Sequence, residues 1–221
     1  MTFNAAIFDM DGLLLDTERV CMNAFEKACH TLSVEFLKPE YLAIIGQNAQ
    51  GVERTIRAGY PADLDYPALR KVWMEYYHDI THHHAIPIKE GVLELLDWLK
   101  ANNIPMAVAT STDLSLAKTK LQLAGLGDYF DSVTCGCEVT HGKPDPEIYL
   151  LAASRLNIAP EYCLGFEDSN NGVRAGVAAT LQMYQVPDLV SPTDDVIALG
   201  HEILPSMVDV LDHLKHHKQL T

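Results

Sequence analysis

Basic residues are scarce: 16 Lys and Arg stand against 30 Asp and Glu in 221 residues, a formal net charge of −14. Nucleic-acid phosphates and anionic membrane surfaces are bound through an excess of Lys and Arg, so the deficit argues against both as partners. No apolar run approaches the roughly 18 residues that a membrane span needs. The N-terminal MTFNAAIFDMDG lacks the basic start and long apolar stretch of a signal peptide. Cysteine is sparse and odd in number. Cys21, Cys29, Cys135, Cys137 and Cys163 show no framework spacing, and a reduced, cytoplasmic protein is the simplest expectation. What remains, 48% hydrophobic and 21% charged residues, is ordinary for a globular chain long enough to bury a real core.

Strand-length apolar runs recur along the chain: AAIF (5–8), IPMAVA (104–109), SVTC (132–135), YCLGF (162–166) and LQMYQV (181–186). Continuous apolar runs suit strands buried on both faces, as in a parallel sheet. Between them lie amphipathic stretches at 92–99, 114–123 and 146–156. Strand followed by helix, repeated, predicts a doubly wound, Rossmann-like α/β domain.

The stretch 17–87 breaks this rhythm. Val20, Ala24, Ala28 and Leu32 recur every four residues, with Cys21, Phe25 and Cys29 beside them, the stripe of an amphipathic helix. Further helical patterns follow at 39–44, 49–58 and 66–80 with no convincing strand. The expectation is a core domain of residues 1–16 and 88–221 interrupted by an all-helical domain of residues 17–87. Pro87 and Gly91 mark the return to the core.

Chemistry concentrates at strand ends. Asp9 and Asp11, in DMDGLLLDT directly after AAIF, lean into the crevice where α/β sheets place ligands. Carboxylates that close need a cation or a shared proton, and Mg²⁺ is the hard-cation candidate. A calcium EF-hand loop is excluded, because Leu13, Leu14 and Val20 stand where it needs an acidic or Asn residue, Gly and Glu. Asp16-Thr17 reads as a helix cap. Thr110-Ser111-Thr112 precedes a helix, where hydroxyls and unpaired N–H groups form a phosphate cradle. In GKPDPE, two prolines stiffen the turn that carries Lys143. Glu167-Asp168 closes YCLGF, and Asp9, Asp11 and Asp168 supply the separated acids an octahedral Mg²⁺ site uses.

These four motifs, in this order, resemble the haloacid dehalogenase superfamily of phosphotransferases over nearly the whole chain. The helical insert looks like the cap of the subgroup that includes β-phosphoglucomutase and sugar-phosphate phosphatases. The resemblance implies that Asp9 is the nucleophile, forming an aspartyl-phosphate, and that Asp11 is the general acid and base. It implies Mg²⁺ held by Asp9, the Asp11 backbone carbonyl and Asp168, with Glu167 behind them orienting metal-bound water. It implies as well that Thr110 and the Ser111 amide hold phosphate oxygens and that Lys143 offsets charge on nucleophile and phosphoryl group.

The dehalogenases of the superfamily lack the second aspartate of the first motif, and its phosphonatases use a cap lysine with a different first motif, so Asp11 argues against both. β-Phosphoglucomutases carry a histidine in the first cap helix where Cys21 stands here, which favours transfer to water over mutase chemistry. Within the cap, Gln47 and Asn48 of the turn Gly46-Gln47-Asn48 are candidates for sugar hydroxyls, and Arg54 for a second anionic group.

Other signals carry less. His82-His83-His84 cannot all face one metal from a regular element, and His78 and His82 share a helix face without an indicated third ligand. His201-Glu202 lacks the second histidine of a metalloprotease motif, and Cys135-Gly-Cys137 lacks zinc or redox spacing. A phospho-aspartyl receiver also uses acids, Thr and Lys, but its phosphorylated Asp lies on another strand from the acidic pair and it has no helical insert near residue 20. The sequence therefore predicts a monomeric Mg²⁺-dependent phosphatase of a small phosphorylated metabolite, a sugar phosphate foremost, with a phosphomutase as the alternative.

Overall fold

The computed structural model describes residues 3–45, 47 and 49–217. Among them, six parallel strands form one sheet in the order β3-β2-β1-β4-β5-β6. The strands are β1 (Ala5–Phe8), β2 (Met106–Thr110), β3 (Ser132–Cys135), β4 (Cys163–Glu167), β5 (Gln182–Gln185) and β6 (Glu202–Ile203). The first and second differ little from the apolar runs, except that β2 starts at Met106. Ile104 closes the preceding helix by bonding its N–H to Leu99, and Pro105 has no N–H to give. β4 extends one residue past its apolar run, so Glu167 is a strand residue and is fully buried.

Helices cover both faces. On one, α5 (Val92–Ala101), α6 (Leu114–Leu123) and α10 (Met207–His217) bury Leu95, Leu99, Leu121, Val210 and Leu214 against Phe8, Val108 and Phe166. Phe8 stacks on Phe166 across the strand pair at 4.6 Å between ring centroids. On the other face, α7 (Glu147–Leu156) and α8 (Asn170–Ala178) pack Ile148, Ala152 and Ala175 onto the small residues Ala5, Ala107 and Ala109. A short α9 (Asp194–Ile197) precedes β6. The expected doubly wound parallel α/β fold is what the structure has.

Every regular element among the insert's described residues is a helix: α1 (Thr17–Thr31), α2 (Lys38–Ile44), α3 (Ala49–Gly59) and α4 (Tyr66–His83). It has its own core, in which Phe25 meets Trp73 edge-on at 5.0 Å and Tyr41 at 5.3 Å, with Ala28, Ile56 and Leu69 around them. Its two linkers pair with each other: Asp16 N–H donates to Pro87 O and Lys89 N–H to Leu14 O. Asp16 precedes α1, but its carboxylate makes no cap bond. It accepts instead from Arg19 at 2.7 Å, and the Thr17 hydroxyl is buried without a partner. The expected side-chain cap is therefore absent there, because the Arg19 guanidinium outcompetes a backbone N–H for the carboxylate.

Candidate active site

Strand order reverses at β1, which sits between β2 and β4, and such a switch point leaves a crevice at the carboxyl ends of the strands. Asp9 and Asp11 follow β1, Thr110 ends β2, and Glu167 ends β4. A cavity of about 550 Å³ opens there, within the range of small-molecule sites. Asp9, Asp11, Thr110, Ser111, Lys143 and Asp168 line it from the core. Glu18 and Ile45 reach it from the insert, and Asn170, Asn171 and Arg174 stand on its α8 side.

Lys143 is the hub. Its Nζ donates to Asp9 Oδ1 at 2.6 Å, Glu167 Oε1 at 2.5 Å and the Ala109 carbonyl at 3.0 Å. Glu167 is engaged further, accepting from the Tyr149 hydroxyl at 2.8 Å and from both N–H and hydroxyl of Ser169. Burial opposes the Lys143 charge, but Asp9 and Glu167 outweigh it and hold the ammonium well above its ordinary range. The turn that presents Lys143 is fixed by Glu147, whose carboxylate accepts the Thr140 and His141 N–H groups at 2.9 Å each.

Asp11 is oriented from the β2–α6 side. Its Oδ2 accepts from the Thr112 hydroxyl at 2.6 Å and, at 3.4 Å, from Thr110; its Oδ1 accepts from Lys120 at 2.8 Å. The helix behind this loop has a good cap, since Asp113 accepts the Ser115 N–H at 2.9 Å.

Oxygens of Asp9, Glu167 and Asp168 come within 4.8 Å of one another. Burial pushes the Asp9 carboxyl up to about 7, against the pull of Lys143 and with the help of Glu167 and Asp11. Burial, then the charges of Glu167 and Asp9, push Asp168 well above the usual carboxylate range. Among the described residues, the Asp168 carboxylate accepts no hydrogen bond, whereas Glu167 is fully engaged. Crowded hard oxygen donors with one carboxylate left free are a donor set that fits a hard divalent cation.

The structure brings together Asp9, Asp11, Thr110, Ser111, Lys143, Glu167 and Asp168. Of the expected insert residues, it does not bring Gln47 or Arg54 to them. Gln47 is exposed and tied within the insert, donating to the Ala43 carbonyl at 2.7 Å and accepting from Thr55 at 3.1 Å; Arg54 is exposed and off the cavity wall. Asn48 lies outside the described residues. Glu167 meets Lys143, Tyr149 and Ser169 directly, a structural tie that the expected water-orienting role does not include. Lys120, Tyr149 and Glu18 are further site residues that no sequence motif points to. For Lys120 a signal existed: it shares the buried stripe of α6 with Ala117 and Leu121, an unusual place for a lysine.

A parallel sheet with a carboxylate–lysine centre at its switch point defines an α/β enzyme whose site sits at the sheet's carboxyl edge. The profile of the haloacid dehalogenase-like hydrolases matches residues 3–180, and the chain belongs to that family. It is 33% identical over 219 residues to the phosphorylated carbohydrates phosphatase of Thermotoga maritima, covering 96% of this chain and 98% of that one. It is 32% identical over 182 residues to the fructose-1-phosphate phosphatase YqaB of Escherichia coli, covering 81% and 94%. A solved structure from Thermotoga maritima, assigned provisionally to the β-phosphoglucomutases, superposes with a TM-score of 0.82 at 30% identity, covering 99% of this chain and all of that one.

Proposed function

We propose that this hydrolase is a Mg²⁺-dependent phosphatase of small phosphorylated metabolites, a sugar phosphate foremost, acting through an aspartyl-phosphate on Asp9. The observation that carries the reading is the Lys143 bridge between Asp9 and Glu167, beside a second aspartate held by two threonines, in one cavity. Two relatives, a carbohydrate-phosphate and a fructose-1-phosphate phosphatase, support the substrate class.

In the first half-reaction an Asp9 oxygen attacks phosphorus as the bond to the leaving oxygen breaks. Asp11 supplies the proton that oxygen needs. In the second, Asp11 takes a proton from water, which attacks phosphorus and releases Asp9 and inorganic phosphate. Thr110, the Ser111 amide and Lys143 hold the phosphoryl oxygens and offset the charge that builds on them. Asp9, the Asp11 carbonyl and Asp168 would hold Mg²⁺, which supplies charge neutralisation between anionic nucleophile and anionic phosphate.

The helical insert acts as the cap in this reading, with Glu18 and Ile45 as its described contributions to the cavity. The five cysteines are unpaired, in keeping with a reducing, cytoplasmic compartment, and no described helix is long and apolar enough to cross a membrane. The alternative, phosphomutase activity, draws on the β-phosphoglucomutase-like structure. Against it stands Cys21: burial pushes its thiol up to about 11, so it stays neutral where an imidazole would exchange protons.

The test is a phosphate-release screen over sugar phosphates, nucleoside monophosphates and small phospho-acids, with Mg²⁺ and with chelator. Sugar phosphates should release phosphate fastest, chelator should stop the reaction, and Asp9→Asn should abolish it with the fold intact. Wild-type release by Asp9→Asn would remove the nucleophile assignment. Bisphosphate-dependent isomerisation without phosphate release would make the enzyme a mutase.

A further inference from the structure

We infer that Lys120 is a positioning residue for Asp11, tying the orientation of that carboxylate to helix α6 and, through Tyr77, to the insert; this rests on the acid–base role proposed for Asp11. Lys120 is 2% exposed, so its ammonium must be compensated inside the protein. Compensation comes from Asp11 Oδ1 at 2.8 Å, with the Tyr77 hydroxyl 3.4 Å from the same Nζ. Side chains on a helix tilt toward its N-terminus, which lets a residue two turns into α6 deliver its charge back to the strand ends.

The geometry separates this role from substrate contact. Lys120 is not on the cavity wall, whereas Asp11 is. The hydrogen bonds to the Asp11 carboxylate come from Thr110 and Thr112 on one oxygen and Lys120 on the other. The two threonines share one side, so Lys120 is the group that fixes rotation of the carboxylate about its own axis. Tyr77 belongs to α4, and α4 packs against α6. The contact that steadies Asp11 is thus partly made by the insert.

The test compares Lys120→Met, Lys120→Gln, Lys120→Arg and Tyr77→Phe with wild type and with Asp11→Asn, alone and combined. Substrates are p-nitrophenyl phosphate and the sugar phosphate turned over fastest in the screen above. Acid–base groups contribute about 10²–10⁴-fold, so misorienting one should lower kcat by about 10–100-fold, with KM changed less than about threefold. Lys120→Arg should recover most of that loss, and Tyr77→Phe should cost about two- to fivefold, a fraction of the same term. In the Asp11→Asn background the Lys120 change should have almost no further effect on p-nitrophenyl phosphate turnover, because coupled residues are non-additive.

Equal losses in both backgrounds, or a raised KM at unchanged kcat, would overturn the inference. Thermal melting selects which of Lys120→Met and Lys120→Gln is read, and the same non-additivity is required of either. Wild-type turnover by Asp11→Asn would instead defeat the acid–base reading itself, whatever Lys120 does.

Discussion

A methyl group on Gly12 would sit 2.4 Å from Asp168 Oδ2, inside any permissible contact. Gly12 also holds φ at +86°, where residues with a side chain are strained. The loop that carries both aspartates of the first motif therefore closes directly on the fourth, and no side chain can come between them.

Gly12→Ala should consequently do two things. The backbone strain costs roughly 1–2 kcal/mol, read as a lower denaturation midpoint. Displacing Asp168 should raise the Mg²⁺ concentration for half-maximal activity by about 10–100-fold, the usual size for disturbing a ligand's support. An unchanged Mg²⁺ requirement would mean that Asp168 does not hold the ion.

Gly172→Ala makes a sharper contest, because the two effects oppose each other. Gly172 lies in α8, where alanine gains about 1 kcal/mol of helix propensity. A Cβ there would overlap the Glu167 carboxylate, which is buried and bonded to Lys143, Tyr149 and Ser169. Overpacking costs roughly 1–3 kcal/mol, and a broken buried network adds to it, so the variant should be less stable than wild type and nearly inactive. A gain in stability would show that Glu167 can move freely.

The strands β1 and β4 were legible because burial on both faces leaves a continuous apolar run, and AAIF and CLGF are such runs. β6 was not, since Glu202 and Ile203 are both exposed and form no run at all. The motif residues were legible because the carboxyl ends of parallel strands are where such folds bind ligands, so acids and hydroxyls repeated there point to a site. Lys143's bond to Glu167 was not: that Glu167 is fully buried follows from its being the last residue of a central strand, and a turn-like ED pair does not announce it. Gln47 looked like a hydroxyl reader because it sits in a polar turn after the apolar run 41–45, but Ala43 and Thr55, four and eight residues away, are near enough to satisfy it first.

Lys143→Met removes the cation between two buried carboxylates. Breaking a buried pair by deleting one partner costs about 3–5 kcal/mol, because the remaining charge is left uncompensated. Here two are left, and Asp9, whose carboxyl burial already pushes up to about 7, can escape the cost by taking up a proton, so the loss should be smaller at low pH. Urea midpoints should fall most above neutrality. Turnover should drop by about 10²–10³-fold, as for loss of a group stabilising transition-state charge. Full activity in the variant would remove Lys143 from the reaction.

Asp188 sets up the last expectation. It is in the loop after β5, its side chain is 2% exposed, and its Oδ1 accepts from Lys89 at 2.5 Å and Arg19 at 3.0 Å. Arg19 begins the insert and Lys89 follows it, so one carboxylate fastens both crossings between the two cores. Its other oxygen is buried without a partner, which makes the bonds on Oδ1 its whole compensation. Asp188→Asn should cost roughly 1.5–3 kcal/mol, the range for hydrogen bonds to charged groups. The Lys89 side chain is 19% exposed and that of Arg19 is 46%, so screening should weaken the second bond more. Lys89→Met should therefore cost more than Arg19→Gln in urea melts, and in the Asp188→Asn background both costs should shrink. Equal costs in the two backgrounds would show that Asp188 does not fasten the linkers.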